Sequence, residues 1–388
     1  MPGCRWTTLD ELTNRRAEWR TLASTSGFPS AYNDPSWILA WWHNYGDSHE
    51  PWLLVLEGHS GEMRGLVPLA LRRSSLARTL TFAGNPWNGL ETLLCAPGAE
   101  AELVTSLIAM LADRRSEWDV WRIERLPTDS LLAQSLLHGD LELRASAHDL
   151  RLQPLLELST DADTFESRFP GKRRNEFRRR WRKLLDLGAQ ARLISDTEDA
   201  QTTIAEILDM RRAWAATNGQ NHTQLDTRFE RFMNDAVNHF MPEGVRLWSL
   251  ELNGKILTAK LNFVEGPREH GYLSGLNNEQ LSLLTGQALD RLSPGHALER
   301  HVILAMIDER RGEFDYGAGR DSYKYRWGAI DRELTRTVVA SPTLRGRLAG
   351  TRAATDLRLR DTAAAEAMRR RRGIIPERAT RDHPAVTR

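Results

Sequence analysis

Residues 245–266 read VRLWSLELNGKILTAKLNFVEG, two apolar-rich runs on either side of Asn253-Gly254. Asn-Gly between such runs signals a tight β-hairpin, because the favoured two-residue turn needs positive φ at both central positions. The stretch EHGYLSGLN at 269–277 extends that sheet. A phrase of the same build lies upstream at 53–71, LLVLEGHSGEMRGLVPLAL, and predicts a second hairpin around a Gly- and Ser-containing turn.

Working outward, the elements around each hairpin follow one order: leading helices, hairpin, a further strand, a helix, then a strand. In the first half, residues 1–50 are predicted helical, with an Asp34-Pro35 start for one helix. Strands follow at 51–73 and 79–95, a helix at 101–118, a strand at 118–127, a short helix at 129–138 and a strand at 150–158. In the second half, a basic helix is predicted over 163–189 and ended by Gly188. A strand at 191–196, helices at 197–218 and 226–240, the hairpin, a helix at 293–312 and a strand at 313–319 complete it. This is a weak internal duplication of an α/β (α+β) unit, each copy a mixed, mostly antiparallel sheet flanked by helices. The expected division is 1–158, 159–340 and a tail at 341–388, with helix over 343–372 and disorder in the final dozen residues.

The composition is that of a globular protein: 388 residues, 40% apolar, 27% charged. Its net charge of +1 conceals an asymmetry. From Ser341 to Arg388 twelve arginines face five acidic residues, a surplus of seven, so the remainder carries −6. The two cysteines, Cys4 and Cys95, form no paired motif and suggest neither disulfide nor zinc site. No window reaches the roughly 18 apolar residues of a membrane span. A reduced, cytoplasmic protein is expected, with no metal.

Three stretches have the chemistry of a site. Ser293-Pro294-Gly295 opens a helix of about 15 residues, followed by His296. Serine is expected to cap it, and its open N–H groups and dipole suit a pyrophosphate or phosphopantetheine. The basic helix carries nine Lys or Arg from Arg168 to Lys183, with Phe177, Trp181, Leu184 and Leu185 on one face. It is either a solvated amphipathic helix or a polyanion site, for coenzyme phosphates, an acidic substrate, RNA or a membrane surface. Residues 314–330, FDYGAGRDSYKYRWGAI, place Asp315 at a strand end before glycines that permit a sharp turn. Tyr323, Lys324, Tyr325 and Arg326 follow. A carboxylate can take a proton from an amine and a tyrosine can protonate a thiolate. The same stretch also reads as a packed loop with its charges in water. The scattered histidines, His270 among them, show no metal spacing.

Taken together, PSWILAWWHNYG (35–46), EMRGLVPLALRR (62–73), KRRNEFRRRWRKL (172–184), SPGHALERHVI (293–303) and FDYGAGRDSYKYRWGA (314–329) resemble the CelD-like acyltransferases of the GNAT superfamily. These are associated with cellulose biosynthesis and related to FemABX-like tandem-GNAT proteins. The resemblance covers about 15–340. It implies two GNAT-like halves, with donor site and catalysis mainly in the second, and an acyl-CoA donor, acetyl-CoA foremost. Ser293, Pro294 and Gly295 match the helix-start motif, and Asp315, Gly319, Tyr323, Lys324, Trp327 and Gly328 the closing motif. The implied roles are catalysis for Asp315, Tyr323, Tyr325 and Lys324, and donor binding for Ser293, Pro294, Gly295, His296, Arg173 and Arg174. Gly319, Arg320 and Trp327 are expected at the substrate, a small-molecule or glycan amine. The departures are a long stretch at 277–292, Tyr316-Gly317 in place of a bulkier pair, and no Q/R-x-x-G-x-G/A loop, so the donor need not be acetyl-CoA. Two alternatives stay open: aminoacyl transfer from aminoacyl-tRNA, with basic helix and tail holding RNA or a membrane surface, and a non-catalytic scaffold in a biosynthetic pathway.

Overall fold

The computed structural model describes residues 3–28, 30–84, 89–139, 143, 145–217, 224–277, 292–317, 319 and 321–361. Arg320, most of the long stretch before Ser293 and the tail beyond 361 lie outside them. In the first half, β1 (Gly3–Thr7) precedes α1 (Leu9–Asn14), α2 (Arg16–Thr25) and α3 (Pro35–Tyr45). Then come β2 (Glu50–Glu57), β3 (Met63–Arg73), β4 (Arg78–Phe82), β5 (Leu94–Cys95), α4 (Glu100–Asp113), β6 (Val120–Pro127), α5 (Leu131–His138) and β7 (Ala145–Glu157). The second half runs α6 (Ala162–Ser167), α7 (Gly171–Asp186), β8 (Gln190–Ile194), α8 (Thr197–Thr217), α9 (Thr227–Phe240), β9 (Val245–Leu252), β10 (Lys255–Glu265) and β11 (Arg268–Leu276). It ends with α10 (Pro294–Asp308), β12 (Glu313–Asp315), β13 (Ile330–Ala340) and α11 (Leu344–Asp361).

Local chemistry sets most of these boundaries. Asp34 caps α3 by accepting from the Ser36 N–H at 2.6 Å, with Pro35 in the first turn. Asn253 and Gly254 both take positive φ, 52° and 70°, and close the β9–β10 hairpin as its sequence demands. Gly188 at φ 90° stops α7. There the Ala189 and Gly188 N–H groups donate to the Leu184 and Leu185 carbonyls. Two expectations need correction. The basic helix is broken, α6 from α7, because Pro170 cannot continue it. The N-terminus is not all helical: β1 pairs antiparallel with β2. Five residues are too few to display a period, and their partner lies some fifty residues away.

The strands join in one sheet of order β1-β2-β3-β4-β6-β13-β7-β12-β11-β10-β9-β8, with β5 beside β3. The halves exchange their last strands. β7 lies against β12 of the second half, while β13 returns to pair with β6 of the first. β7 and β13 then pair with each other along nearly their whole length, Ile330 opposite Leu155 through Val339 opposite Ala145. α11 packs on this exchanged pair. One apolar cluster joins α2 and α3 to α8, α9 and β9–β11, with Trp37 5.1 Å from Phe263 and 4.9 Å from Phe232. A second fills the space under α4 and α5, and a third that under α6, α7 and α10. The fold is a mixed α/β architecture, a large mixed sheet flanked by helices.

The only parallel pairings among the described strands are β4 with β6 and β11 with β12. The second ends at His270 opposite Asp315. From there β11 stays with β10 as far as Leu276. The other chain stays with β7, the Tyr316 and Gly319 N–H groups donating to the Pro154 and Leu152 carbonyls. The strands part at the carboxyl end of a parallel pair, where open α/β sheets place their ligands.

Candidate active site

Two groups of polar residues flank this point. The first is cationic and lies at the start of α10. Ser293 takes a left-handed conformation, φ 47°, and makes no side-chain capping bond. Its Oγ instead accepts from Arg180 Nη1 at 2.6 Å, so its expected role as cap is corrected. Arg326 Nη1 comes within 3.4 Å of His296 Nδ1, and Arg173 donates to the Arg326 carbonyl. Arg180 also pairs with Glu176. Burial, then the fields of Arg326, Arg180, Lys260 and Arg173, push His296 down to about 4. Pro294 is buried, and Gly295 has no atom closer than 3.7 Å to where a Cβ would stand. Arg174 lies half-buried on α7 beside Arg173. The structure thus brings Ser293, Gly295, His296 and Arg173 into one positive notch, and adds Arg180 and Arg326.

The second group is buried. Asp315, 1% exposed, accepts from Gln153 Nε2 at 2.7 and 2.9 Å, from the Gly317 N–H at 2.7 Å and from His270 Nδ1 at 3.2 Å. Burial opposes its charge, but His270 and the Gly317 N–H outweigh burial and hold the carboxyl below its ordinary value. Every lone pair it offers is engaged, so Asp315 cannot itself reach an amine. The expectation that it does is corrected: it holds its neighbours. The Tyr32 ring lies edge-on to His270 at 5.4 Å and tilted against Tyr272 at 5.8 Å. His270 Nε2, Tyr272 Oη and Gln153 Oε1 are buried without a hydrogen-bond partner among the described residues.

The closing loop joins the two groups. Lys324 is buried, and its Nζ donates to the Gly317 and Gly319 carbonyls at 3.3 and 3.2 Å. It clamps the glycine turn, Gly317 and Gly319 both at positive φ, rather than facing a substrate. Tyr323 is 37% exposed, and burial, then Asp321, pushes its phenol up to about 12. It keeps its proton at neutral pH. Tyr325 Oη donates to Asp331 at 2.7 Å. Trp327 was expected at the substrate, but it is 1% exposed and packs 4.6 Å from Phe177 and 5.9 Å from Phe169. An indole of that area is worth more in the core. Sequence reading did not single out His270, Gln153, Tyr32 or Tyr272. Gln153 left a trace, an amide inside the apolar run LRLQPLLEL. The others are identified only by the pairing of β11 with β12 and by the packing of Tyr32 across from the first half.

A mixed sheet whose parallel strands part beside a positively charged helix start frames this site. Residues 171–325 match the family model described as an acetyltransferase (GNAT) domain, so the chain carries a GNAT domain and the protein is an acyltransferase. The matched segment contains α7, α10 and Asp315, and excludes Tyr32 and Gln153. Among solved structures, FemX superposes with a TM-score of 0.57 at 12% identity, over 86% of this chain and 96% of that one. A conserved protein of unknown function from Bacteroides thetaiotaomicron gives 0.52 at 12%, over 88% and 100%. The C-terminal domain of a putative lysylphosphatidylglycerol synthetase from Agrobacterium fabrum gives 0.51 at 11%, over 90% and 96%. At such identities the likeness is one of fold. No curated protein matches the chain by sequence. Among the described residues no helix is long and apolar enough to cross a membrane, and no cluster of potential metal ligands is present.

Proposed function

We propose that the protein is an N-acyltransferase that moves an acyl group from an acyl-CoA, or a similar thioester, to an amine by direct attack. The observation that carries this reading is the notch at the start of α10. There the start of a 15-residue helix lies among Arg180, Arg326 and Arg173, with Glu176 paired to Arg180 and bearing on Arg173. A pyrophosphate fits such a field. The thioester would then extend along the parted strands toward Asp315. Proximity to the amine and polarisation of its carbonyl by backbone N–H groups supply most of the rate. Tyr323, which keeps its proton and is exposed, protonates the departing thiolate. The CelD-like resemblance fits this reading.

Acetyl-CoA and longer acyl-CoAs should raise the melting temperature and release free thiol in the presence of amines. If no acyl-CoA stabilises the protein or is consumed, the reading fails. The exposed Lys172, Arg179, Arg182 and Lys183 of α7 favour one second reading, in which the donor is an aminoacyl-tRNA. Such binding weakens steeply with salt. Binding of tRNA that is absent or indifferent to salt removes this alternative.

A further inference from the structure

We infer that His270 is the group that takes the proton from the attacking amine, with Asp315 and Gln153 as positioning residues; this rests on the acyl-transfer reading above. The argument starts from the carboxylate. An ionised carboxylate only accepts hydrogen bonds. The Gln153 amide nitrogen must therefore face Asp315, which turns Gln153 Oε1 away. By the same logic His270 carries a proton on Nδ1, 3.2 Å from Asp315 Oδ2, and in the neutral ring Nε2 is then the acceptor. An acceptor buried without a partner costs about 1–3 kcal/mol. Here two such acceptors, His270 Nε2 and Gln153 Oε1, lie beside one carboxylate, with the unpartnered Tyr272 hydroxyl on the same strand as His270. A cluster of this kind calls for a partner from outside the chain.

Its chemistry selects the ligand. Acceptors around a carboxylate, walled by the Tyr32 and Tyr272 rings, suit a group that brings N–H donors, and a primary amine does. Arg125 bears on both tyrosines, but at Tyr32 the field of Asp315 is the larger, so an ammonium is accepted there and gives its proton to His270 before it attacks. Tyr32 controls the approach. It sits on a short helical turn, Ala31–Asn33, and lines a narrow cavity with Asn33, Gly84, Gly89 and Glu91 while its ring covers His270. In the step itself the ammonium first gives one proton to Nε2, then its nitrogen bonds to the thioester carbonyl carbon and the carbon–sulfur bond breaks. The thiolate leaves with a proton from Tyr323, the second proton of the nitrogen returns to Tyr323 through solvent, and His270 releases its own proton to solvent.

The test uses the full chain with acetyl-CoA and palmitoyl-CoA as donors and glucosamine, ethanolamine and methoxyamine as probe amines. His270→Gln should lower kcat about 100-fold or more for glucosamine and ethanolamine, with the KM for donor unchanged. Methoxyamine is already neutral at pH 7, so its loss should be about tenfold smaller. An equal loss for all three amines, or a loss below about threefold, overturns the role of His270 and leaves the acyl-transfer reading standing. A wild-type protein that consumes no donor with any amine overturns both. A readout on the wild type stands apart from folding of the variant: ¹⁵N spectra of labelled histidine should show His270 protonated on Nδ1 and bare on Nε2. A proton on Nε2 defeats the proposal.

Discussion

The two halves repeat one order of elements and differ most where their parallel strands part. In the first half, β4 and β6 pair at Thr79–Val120 and Leu80–Trp121, and Leu80, Phe82, Trp121 and Ile123 belong to one buried apolar cluster. In the second half the same place holds His270 and Asp315, with Gln153 from the exchanged strand. The crossover helices differ in the same sense. α4 opens with Glu100 and Glu102, whereas α10 has no acidic residue in its first turn and three arginines around it. Negative charge at a helix start stabilises the helix but repels a phosphate. One order of elements, used twice, has a positive helix start and polar strand ends in the second half. The first half is still not idle. Tyr32 and Arg125 reach the site of the second, and β7 carries Gln153 into it.

The largest effect expected to bear on this comparison comes from Trp327. Trp327→Ala should destabilise the protein by about 3–5 kcal/mol in denaturant unfolding, and Trp118→Ala in the first half by a similar amount. Only Trp327→Ala should also weaken donor binding, since α7 with Arg173 and Arg180 leans on that indole through Phe177. Equal donor affinity in both variants breaks the asymmetry. Next, Arg180→Ala combined with Arg326→Ala should weaken acyl-CoA binding about 10- to 100-fold by calorimetry, and the loss should shrink as salt rises. Glu100→Gln with Glu102→Gln should leave the affinity unchanged.

A pH effect follows from one buried carboxyl in each half. Burial pushes both Glu91 and Glu269 up to about 7. A carboxyl raised in the folded state is protonated there while its unfolded form, near 4.3, is already ionised. Its contribution is therefore complete below the unfolded value and is lost as pH rises through about 7. Unfolding free energy should fall between pH 5 and 8, and Glu91→Gln or Glu269→Gln should each flatten the fall by about 1 kcal/mol or more. A profile indifferent to both substitutions contradicts the burial argument. The smallest effect is assigned to Tyr325. Tyr325→Phe removes one hydrogen bond to Asp331 and should cost about 0.5–1.5 kcal/mol of stability, with kcat within about threefold.

How much of this was legible depends on the distance over which each feature is decided. The Asn253-Gly254 hairpin, the start of α3 at Asp34-Pro35 and the stop of α7 at Gly188 are set by neighbours within a few residues, and sequence reading finds them. No element was predicted for 330–340, yet β13 is central to the sheet, because its partners β6 and β7 lie some two hundred residues upstream. β1 was missed for the same reason. At the site, Asp315 and Ser293–His296 were visible as motifs, but their roles changed on folding. Asp315 became a saturated anchor, Ser293 an arginine acceptor, Lys324 a loop clamp and Trp327 a core residue.

By itself the sequence determined the class of fold, the order of most of its elements, the helix start at Ser293–His296 and the tyrosine- and glycine-rich loop after Asp315. These rest on local backbone preference and on apolar periodicity, which a linear chain carries in full. The tertiary structure alone decided that the halves trade their last strands. It also decided that His270 faces Asp315 across a parallel pair, and that Gln153 and Tyr32 of the first half pack against them. Those facts depend on register and on burial. A hydrogen bond between residues 45 or 162 positions apart exists only once the sheet between them has formed.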